Sequence, residues 1–494
     1  MRKLVNSAQM READKDAVEN CHISSIQLME NASLAFSGIF RGLVPDKNEP
    51  LLILCGTGNN GGDGLAIARI LQRSGYSEIT ILIVRSNPHE SIDFSENLRH
   101  VRNLPITIND WDGDDLPVIL ENTLIDAMLG SGLNKPLQGD LLRLVNHINE
   151  SEKYIIAVDV PTGMRGDGEI SPGDTILKAD EVICFQRPKL SFFVPESAPY
   201  MHRFHVVHIG LRETYIENLP SPYHELEQAD IIRIYRKRTP FSHKGTYGKA
   251  LVIAGGTGMA GAAMLCTKAC IYSGAGLTTI SLPETEEIIA NIYLPEAMTI
   301  KRSAIASHWS DYTAIAVGPG LGTGTNILLS LLQLANKPLV VDADALNFLA
   351  ENPQLMGALP EYSILTPHMK EFDRLFGPST TWWDRIQLAR ERSKAYNFII
   401  VLKNRYSFIF LPDGRVLINP TGNPAMASGG MGDVLTGIIV SFLAQGYTSE
   451  EAAILGCYLH GRAGDCLAAK GMAVIPASQL IAQLPFVLGE IELR

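Results

Sequence analysis

Apolar residues along this chain fall into two alternating registers. Short unbroken runs, Leu51–Cys55, Ile79–Val84, 123–129 and Tyr154–Val158, have no polar face and read as strands buried on both sides. Elsewhere apolar residues recur every three or four positions. Ala8, Met10, Ala13, Ala17 and Val18, then Ile26, Met29, Ala32, Ala35 and Phe36, predict two helices over 7–41. A glycine-rich stretch, Gly56–Gly64, joins the first strand to an Ala/Ile/Leu-rich helix that runs to about Ser74. Further strands near Glu181–Phe185 and Phe204–Ile209 complete the series. Strand and helix alternating in this way predict an α/β domain, a Rossmann-like three-layer α/β/α sandwich.

The pattern breaks over 211–240, where Asn218-Leu-Pro-Ser-Pro-Tyr and the basic cluster Arg233 to Arg238 have the composition of a connector. A second α/β series follows: Lys249–Gly258, the small-residue helix Ala260–Tyr272, then apolar runs opening at Ala314, Pro338, Ile364 and Phe398. Three segments are therefore expected: a domain over 1–215, a connector over 216–240 and a second domain over 241–494.

Composition narrows the class. At 494 residues the chain calls for roughly two or three domains. With 46% hydrophobic and 19% charged residues it is globular. A net charge of −11 argues against nucleic-acid or anionic-membrane binding. Cys266 and Cys270 lie one helical turn apart in an apolar helix, which reads as core packing rather than a metal site. The start, Met1-Arg-Lys-Leu-Val-Asn-Ser, lacks an apolar signal region, and no apolar run reaches spanning length, so a cytoplasmic, membrane-free protein is expected.

Candidate chemistry gathers at the ends of strands, where parallel sheets collect their ligands. In the first half those ends carry Asn60 and Asp63, then Asp126 and Lys135, then Asp159 and Thr162. Oxygen donors from Asn, Asp and Thr suit a hard cation rather than zinc. Gly56, Gly58 and Gly61 match a dinucleotide fingerprint, but the polar Asn59, Asn60 and Asp63 in that loop, and Glu78 at the wrong end of its strand, argue against an ordinary dehydrogenase. In the second half, Gly429, Gly430 and Gly432 precede the apolar run Val434–Leu443. Glycines there let backbone N–H groups close around an anion at a helix N-terminus. Asp433 then falls in the first turn, placed to accept a proton from a substrate hydroxyl, or simply to interact with the helix dipole. No GxxxxGK[ST] loop exists, so a nucleotide must be held by this loop and the basic turn Lys403 to Arg405.

These motifs resemble one family, the bifunctional NAD(P)H-hydrate repair enzymes, which fuse an epimerase to an ADP-dependent dehydratase of the ribokinase superfamily. The resemblance rests on Gly58–Gly64, Gly130–Asn134 and Asp159–Gly163 in the first half. In the second it rests on His243–Gly248, Gly318–Gly322, Asp342–Leu346, Thr366-Pro-His368 with Glu371, and Gly429–Leu435. It implies an epimerase site made of Asn59, Asn60, Gly61, Gly62 and Asp63, with Gly130, Ser131, Gly132, Leu133, Asn134, Lys135 and Pro136. Asp159 would be its catalytic residue, and K⁺ would sit among Asn60, Asp126 and Thr162. In the dehydratase, Ala262, Gly320, His368 and Asp433 would face the hydrate, with Asp433 as catalytic base. Lys403, Asn404, Arg405, Tyr406, Ser407, Gly429, Gly430 and Gly432 would hold ADP, with Mg²⁺ offsetting phosphoryl charge.

The implied ligands are hydrated NADH or NADPH and ADP, and a homo-oligomer is expected. The sequence departs from the family at Asn404, where glycine is usual, at Ala425, and after Pro188-Lys189, where Ser191 and Glu196 stand. Two rival readings remain. One is a small-molecule kinase of hydroxymethylpyrimidine or sugar type with an N-terminal binding module. The other makes the first half a non-enzymatic scaffold.

Overall fold

In a computed structural model of the chain, residues 1–86, 89–322 and 327–493 are described. They form two compact units: Lys3–Ser221 with Thr381–Trp383, and Met1–Arg2 with Pro222–Thr380 and Asp384–Arg494.

The first unit is built on strands β1 (Leu51–Cys55), β2 (Ile79–Val84), β3 (Thr107–Trp111), β4 (Thr123–Ala127), β5 (Tyr154–Val158), β6 (Ala179–Phe185) and β7 (Met201–Val207). They pair in parallel in the order β3-β2-β1-β4-β5-β6-β7. The unbroken apolar runs are buried on both faces: all of β1 and β4 is buried, the one charged residue being Asp126. Helices α1 (Ser7–Asn20) and α2 (Ser25–Leu43) start where the pattern placed them. Asn6 and Gln9 close a capping box on α1, and Ser24 caps α2. Ala13, Ala17, Leu28, Ala32, Phe36 and Phe40 pack from these helices into the core.

Helix α3 (Asn59–Arg73) begins within the glycine-rich loop. A Cβ on Gly61 would lie 1.7 Å from the Gly56 carbonyl oxygen, and one on Gly62 would lie 2.8 Å from Met29 Cε. Both glycines are therefore required by the close approach of the loop and α2 to the first turn of α3.

The second unit carries β8 (Tyr223–Glu225), β9 (Lys249–Ile253), β10 (Leu277–Ser281), β11 (Met298–Thr299), β12 (Ala314–Val317), β13 (Leu339–Val341), β14 (Ile364–Leu365), β15 (Ile399–Leu402), β16 (Ser407–Phe410) and β17 (Val416–Asn419). Their order is β8-β17-β16-β15-β14-β13-β12-β9-β10-β11, parallel except for the antiparallel ribbon β15-β16-β17. Tyr223–Glu225, within the stretch read as a connector, pairs with β17 and so belongs to this sheet.

Alternate residues of β9 face opposite layers. Ala250 and Val252 join one cluster with Cys266 and Cys270, while Leu251 and Ile253 join the other with Ile315 and Val317. The small-residue helix α4 (Ala260–Tyr272) lies against α6 (Met431–Ala444). A Cβ on Gly437 of α6 would meet the Cys266 carbonyl oxygen at 2.1 Å. Small residues on α4 thus serve backbone-to-backbone packing, and that packing sets where α6 begins. Two more helices shape the site, α5 (Met369–Phe376) and α7 (Ser449–Ala469). Among the described residues no helix is long and apolar enough to cross a membrane.

Candidate active sites

In the first unit a cavity of about 480 Å³ opens at the carboxyl ends of the strands. Asn59, Asn60 and Asp63 reach it from α3, Gly130 to Asn134 from the loop after β4, and Asp159 from the end of β5. Gly61 and Gly62 do not line it, because their role is the packing just described. Lys135 and Pro136 are exposed beyond its wall.

Several wall residues carried no signal in the sequence reading: Met10, Arg11 and Asp14 of α1, Phe185 at the end of β6, and Lys189 just beyond it. Asp159 adopts φ +66, uncommon for a residue with a side chain, and sits on the strand end beside the cavity. Its carboxylate is 2.9 Å from the Lys189 ammonium and accepts from the Phe185 amide at 3.2 Å. Burial pushes Asp159 up, but Lys189, the Phe185 amide and Ser131 outweigh it and hold the group below its ordinary value. Burial opposes the charge on Lys189 as well, and Asp159 more than restores it.

Asp14 moves the other way. Burial and then repulsion from Asp159 raise it to about 6, against Lys189 and Arg11. One cavity thus holds a carboxylate kept ionised and a carboxyl poised to take or give a proton. Asp63 is also pushed well up, first by burial and then by Asp159.

Asp126 and Thr162 lie behind the Gly130 loop. Asp126 Oδ1 accepts from the Thr162 hydroxyl at 2.7 Å and from the Met128 amide at 3.2 Å; Oδ2 accepts from the Thr162 amide at 2.7 Å. Burial raises Asp126 to about 6 despite these bonds. The Thr162 hydroxyl also accepts from the Leu129 amide at 3.0 Å. Asn60 Nδ2 is buried with no hydrogen-bond partner, and a Cβ on Gly130 would lie 3.1 Å from Asn60 Oδ1. Turning that amide over would put its oxygen at the unpartnered position. An all-oxygen donor set with one unsatisfied member fits a hard cation.

In the second unit a cavity of about 590 Å³ lies between the β15–β16 turn, the loop after β17, and the starts of α5 and α6. Lys403, Asn404, Arg405 and Ser407 line it from the turn, with Gly432 and His368 from the two helix starts. Tyr406, Gly429 and Gly430 do not line it. Gly430 caps α6 at φ +87, where a Cβ would strike Leu265 Cδ1 at 2.5 Å. His368 caps α5: its Nδ1 accepts from the Lys370 and Glu371 amides at 3.1 and 3.2 Å, and Glu371 Oε2 accepts from the His368 amide at 2.8 Å. That capping box fixes the ring orientation and leaves the proton on Nε2.

Asp342, buried at the end of β13, accepts from Lys403 Nζ at 2.8 Å and from the Thr436 hydroxyl at 2.7 Å. A Cβ on Gly432 would lie 3.3 Å from that ammonium, so the bare backbone at the start of α6 leaves Lys403 its place. Asp433, in the first turn of α6, is half-buried. Burial first, then Asp342, Asp344 and Glu371, push it to about 7 against the pull of Lys403. Gly320, at φ +61, and Ala262 meet beside Met259: a Cβ on Gly320 would lie 3.0 Å from Ala262 Cβ. Neither lines the cavity that holds Lys403, and nor does Asp433, although its neighbour Gly432 does.

Two α/β units, each with polar groups converging on a cleft at its strand ends, and one with a raised carboxyl at a glycine-led helix start, define an enzyme with two sites. The comparisons specify it. A family model described as NAD(P)H-hydrate dehydratase matches residues 250–485, and one described as YjeF-related protein N-terminus matches 25–191. A bifunctional NAD(P)H-hydrate repair enzyme of Moorella thermoacetica is 33% identical over 518 residues, covering 99% of this chain and 97% of its own. One from Escherichia coli is 31% identical over 473 residues, covering 93% and 89%. Among solved structures, a ribokinase-like superfamily protein of Enterococcus faecalis matches with TM-score 0.50 and 28% identity, covering 56% of this chain and 98% of that one. The chain belongs to the bifunctional NAD(P)H-hydrate repair enzymes.

Proposed function

We propose that the second unit dehydrates the S epimer of hydrated NADH or NADPH at the expense of ADP, and that the first unit interconverts the R and S epimers. The observation that carries the dehydratase assignment is Asp433, a carboxyl raised to about 7 at a glycine-led helix start beside the Lys403–Asp342 pair. Such a group is half-ionised near neutrality and suited to general-base work. Its carboxylate takes the proton of the C6 hydroxyl as that oxygen attacks the β-phosphorus of ADP. The oxygen–phosphorus bond forms, the α–β bridging bond breaks, and AMP leaves. The C6–O bond then breaks with release of phosphate, driven by the ring-nitrogen lone pair, and loss of the C5 proton restores the dihydronicotinamide.

The N-terminal amides of α6 and the Lys403 ammonium face developing negative charge. Mg²⁺ bound with the nucleotide would supply further neutralisation of phosphate charge. In the first unit Asp159 relays a proton as the hydrate opens and recloses, with Asn59, Asp63 and the Gly130 to Asn134 loop holding the nucleotide. Asn60, Asp126 and Thr162 would hold K⁺, which would supply fixed positive charge to this site.

The direct test supplies the full chain with Mg²⁺, hydrated NADPH, and either ADP or ATP, and follows return of the dihydronicotinamide absorbance. With ADP both epimers are consumed, and AMP and phosphate appear in equal amounts. No return with either nucleotide, alongside ATP-dependent phosphorylation of a hydroxymethylpyrimidine, would install the kinase reading instead.

The cation assignment makes its own prediction. Replacing choline chloride by KCl at equal ionic strength raises the thermal midpoint of the first unit's transition by a few degrees, as ligand binding to the folded state requires. Asp126→Asn removes that increment. An identical midpoint in the two salts would refute the site.

A further inference from the structure

Opening a hydrate at C6 moves two protons, one off the hydroxyl and one onto the ring nitrogen. Asp159 serves one of these transfers and is already engaged with protein groups: the Lys189 ammonium at 2.9 Å, the Phe185 amide at 3.2 Å and the Cys184 thiol at 3.7 Å. A carboxylate held in that way can accept the hydroxyl proton, and a separate donor must serve the nitrogen.

The wall of the same cavity holds a candidate. Met10, Arg11 and Asp14 line it from one face of α1. The helix is anchored elsewhere along its length: Ala13 and Ala17 are buried in the core, and Asp16 accepts from Arg212 Nε at 2.8 Å. A second hollow, of about 390 Å³, adjoins the cavity, and Asp14, Asn59, Asp63, Phe185 and Ile209 line both. Asp14 thus stands where the two meet. Among the described residues its carboxyl has no hydrogen bond and no ion pair.

The charged groups around it are Asp63 of α3, Asp159 and Lys189, with Arg11, Lys15 and Glu19 on its own helix and Asp93 across the second hollow. Helix α2 adds only Ser25, Leu28, Met29 and Ala32 there. Arg11 does not give up a proton, and the Lys189 ammonium is tied to Asp159. Burial and Asp159 raise Asp14 to about 6, so its acid and carboxylate forms are both present near neutrality.

We infer that Asp14 is a second catalytic residue of epimerisation, the proton donor to the ring nitrogen, working with Asp159 as the acceptor from the C6 hydroxyl. This rests on the reading that the cavity takes the hydrated nicotinamide. Asp159 removes the hydroxyl proton, and the oxygen's electron pair forms the C6=O bond. The C6–N1 bond breaks with its pair going to N1, which takes the Asp14 proton. The freed aldehyde arm has the adjoining hollow in which to turn. Closure on the other face of the aldehyde reverses each transfer: N1 returns its proton to Asp14, and Asp159 returns its own to the new hydroxyl. Both carboxyls end as they began, and only the configuration at C6 has changed.

The test gives the full chain and its Asp14→Asn and Asp14→Glu variants the purified R hydrate of NADPH without ADP. Appearance of the S epimer is followed by chromatography, with the spontaneous rate subtracted. Asp14→Asn lowers the rate by about 10²-fold, in kcat rather than KM, and Asp14→Glu, which keeps an acid, retains more of it. The wild-type rate falls tenfold per pH unit above about 6, where Asp14 loses its proton, and the residual rate of Asp14→Asn lacks that fall. The thermal midpoint at pH 8 separates catalysis from structure. An unpaired carboxylate beside Asp159 opposes folding, so Asp14→Asn raises the midpoint while it removes activity. A midpoint that falls with the activity makes Asp14 a structural group and overturns the inference, as does a wild-type rate in Asp14→Asn. A wild type that does not interconvert the epimers overturns the epimerase reading itself, and this inference with it.

Discussion

Asp433→Asn lowers the rate of NADH or NADPH return from the S hydrate by about 10³-fold and leaves epimerisation intact. The size follows from what a positioned base supplies, about 10²–10⁴-fold, and the substitution changes little else. The amide is close in shape, and α6 is held by packing at Gly437 rather than by this side chain. The Lys403–Asp342 pair stays at 2.8 Å without needing Asp433. Nucleotide affinity therefore changes by severalfold at most, and the loss appears in kcat.

The pH profile gives an independent reading. The carboxylate is the active form, and burial with repulsion from Asp342 raises the group to about 7. The dehydration rate is thus flat in mild alkali and falls tenfold per pH unit once the pH is below 7. Asp342→Asn removes the strongest repelling charge and moves the midpoint of that fall to lower pH. A profile that stays level down to pH 5, or an Asp433→Asn enzyme with wild-type turnover, ends the assignment.

How far the sequence carries to this point depends on where each group's signal resides. β1 and β4 are legible because strands buried on both faces must be apolar throughout, and Asp126 is conspicuous as the charge inside such a run. Asp433 is legible because the glycines that open α6 are adjacent to it in the chain. Residues brought by folding are not legible in that way. Arg11 and Asp14 belong to a helix more than 100 residues from Asp159, and their spacing reports only which helix face is buried. Lys189 sits next to a strand end, the one local hint available, yet its partner is 30 positions away.

Gly61 and Gly62 show the converse. They lie inside a motif that implies ligand contact, yet what they accommodate is backbone and Met29. His460 lies in a helix apolar enough to pass for core, and hydrophobic periodicity does not separate a face that meets a cavity from one that meets another helix. The strand Tyr223–Glu225 is short and polar, with its pairing decided by β17 rather than by its own pattern.

Asp159→Asn leaves the R epimer unconsumed beyond its spontaneous conversion, while the S epimer disappears at the normal rate in the same reaction. Lys189→Met is the more discriminating change. The ammonium and the carboxylate are 2.9 Å apart and both buried, and each keeps the other charged. Removing one partner of a buried pair costs about 3–5 kcal/mol because the remaining charge is stranded. In Lys189→Met that charge is Asp159, which burial then drives to its protonated form, so epimerase activity at neutral pH falls and recovers in part as the pH rises.

The linkage sign agrees. In the wild type Asp159 is held below its ordinary value, so the stability it lends is present above about pH 4 and lost as the pH falls through the depressed value. Lys189→Met loses that contribution, so its unfolding temperature falls less steeply than the wild type's over the same acid range. Joining the substitutions, Asp159→Asn with Lys189→Met, strands no charge. The double variant is therefore more stable than either single one, with no epimerase activity at any pH. If Lys189→Met keeps wild-type epimerisation and its ordinary pH profile, the pair is only a structural tie and the proton relay must be sought at Asp14.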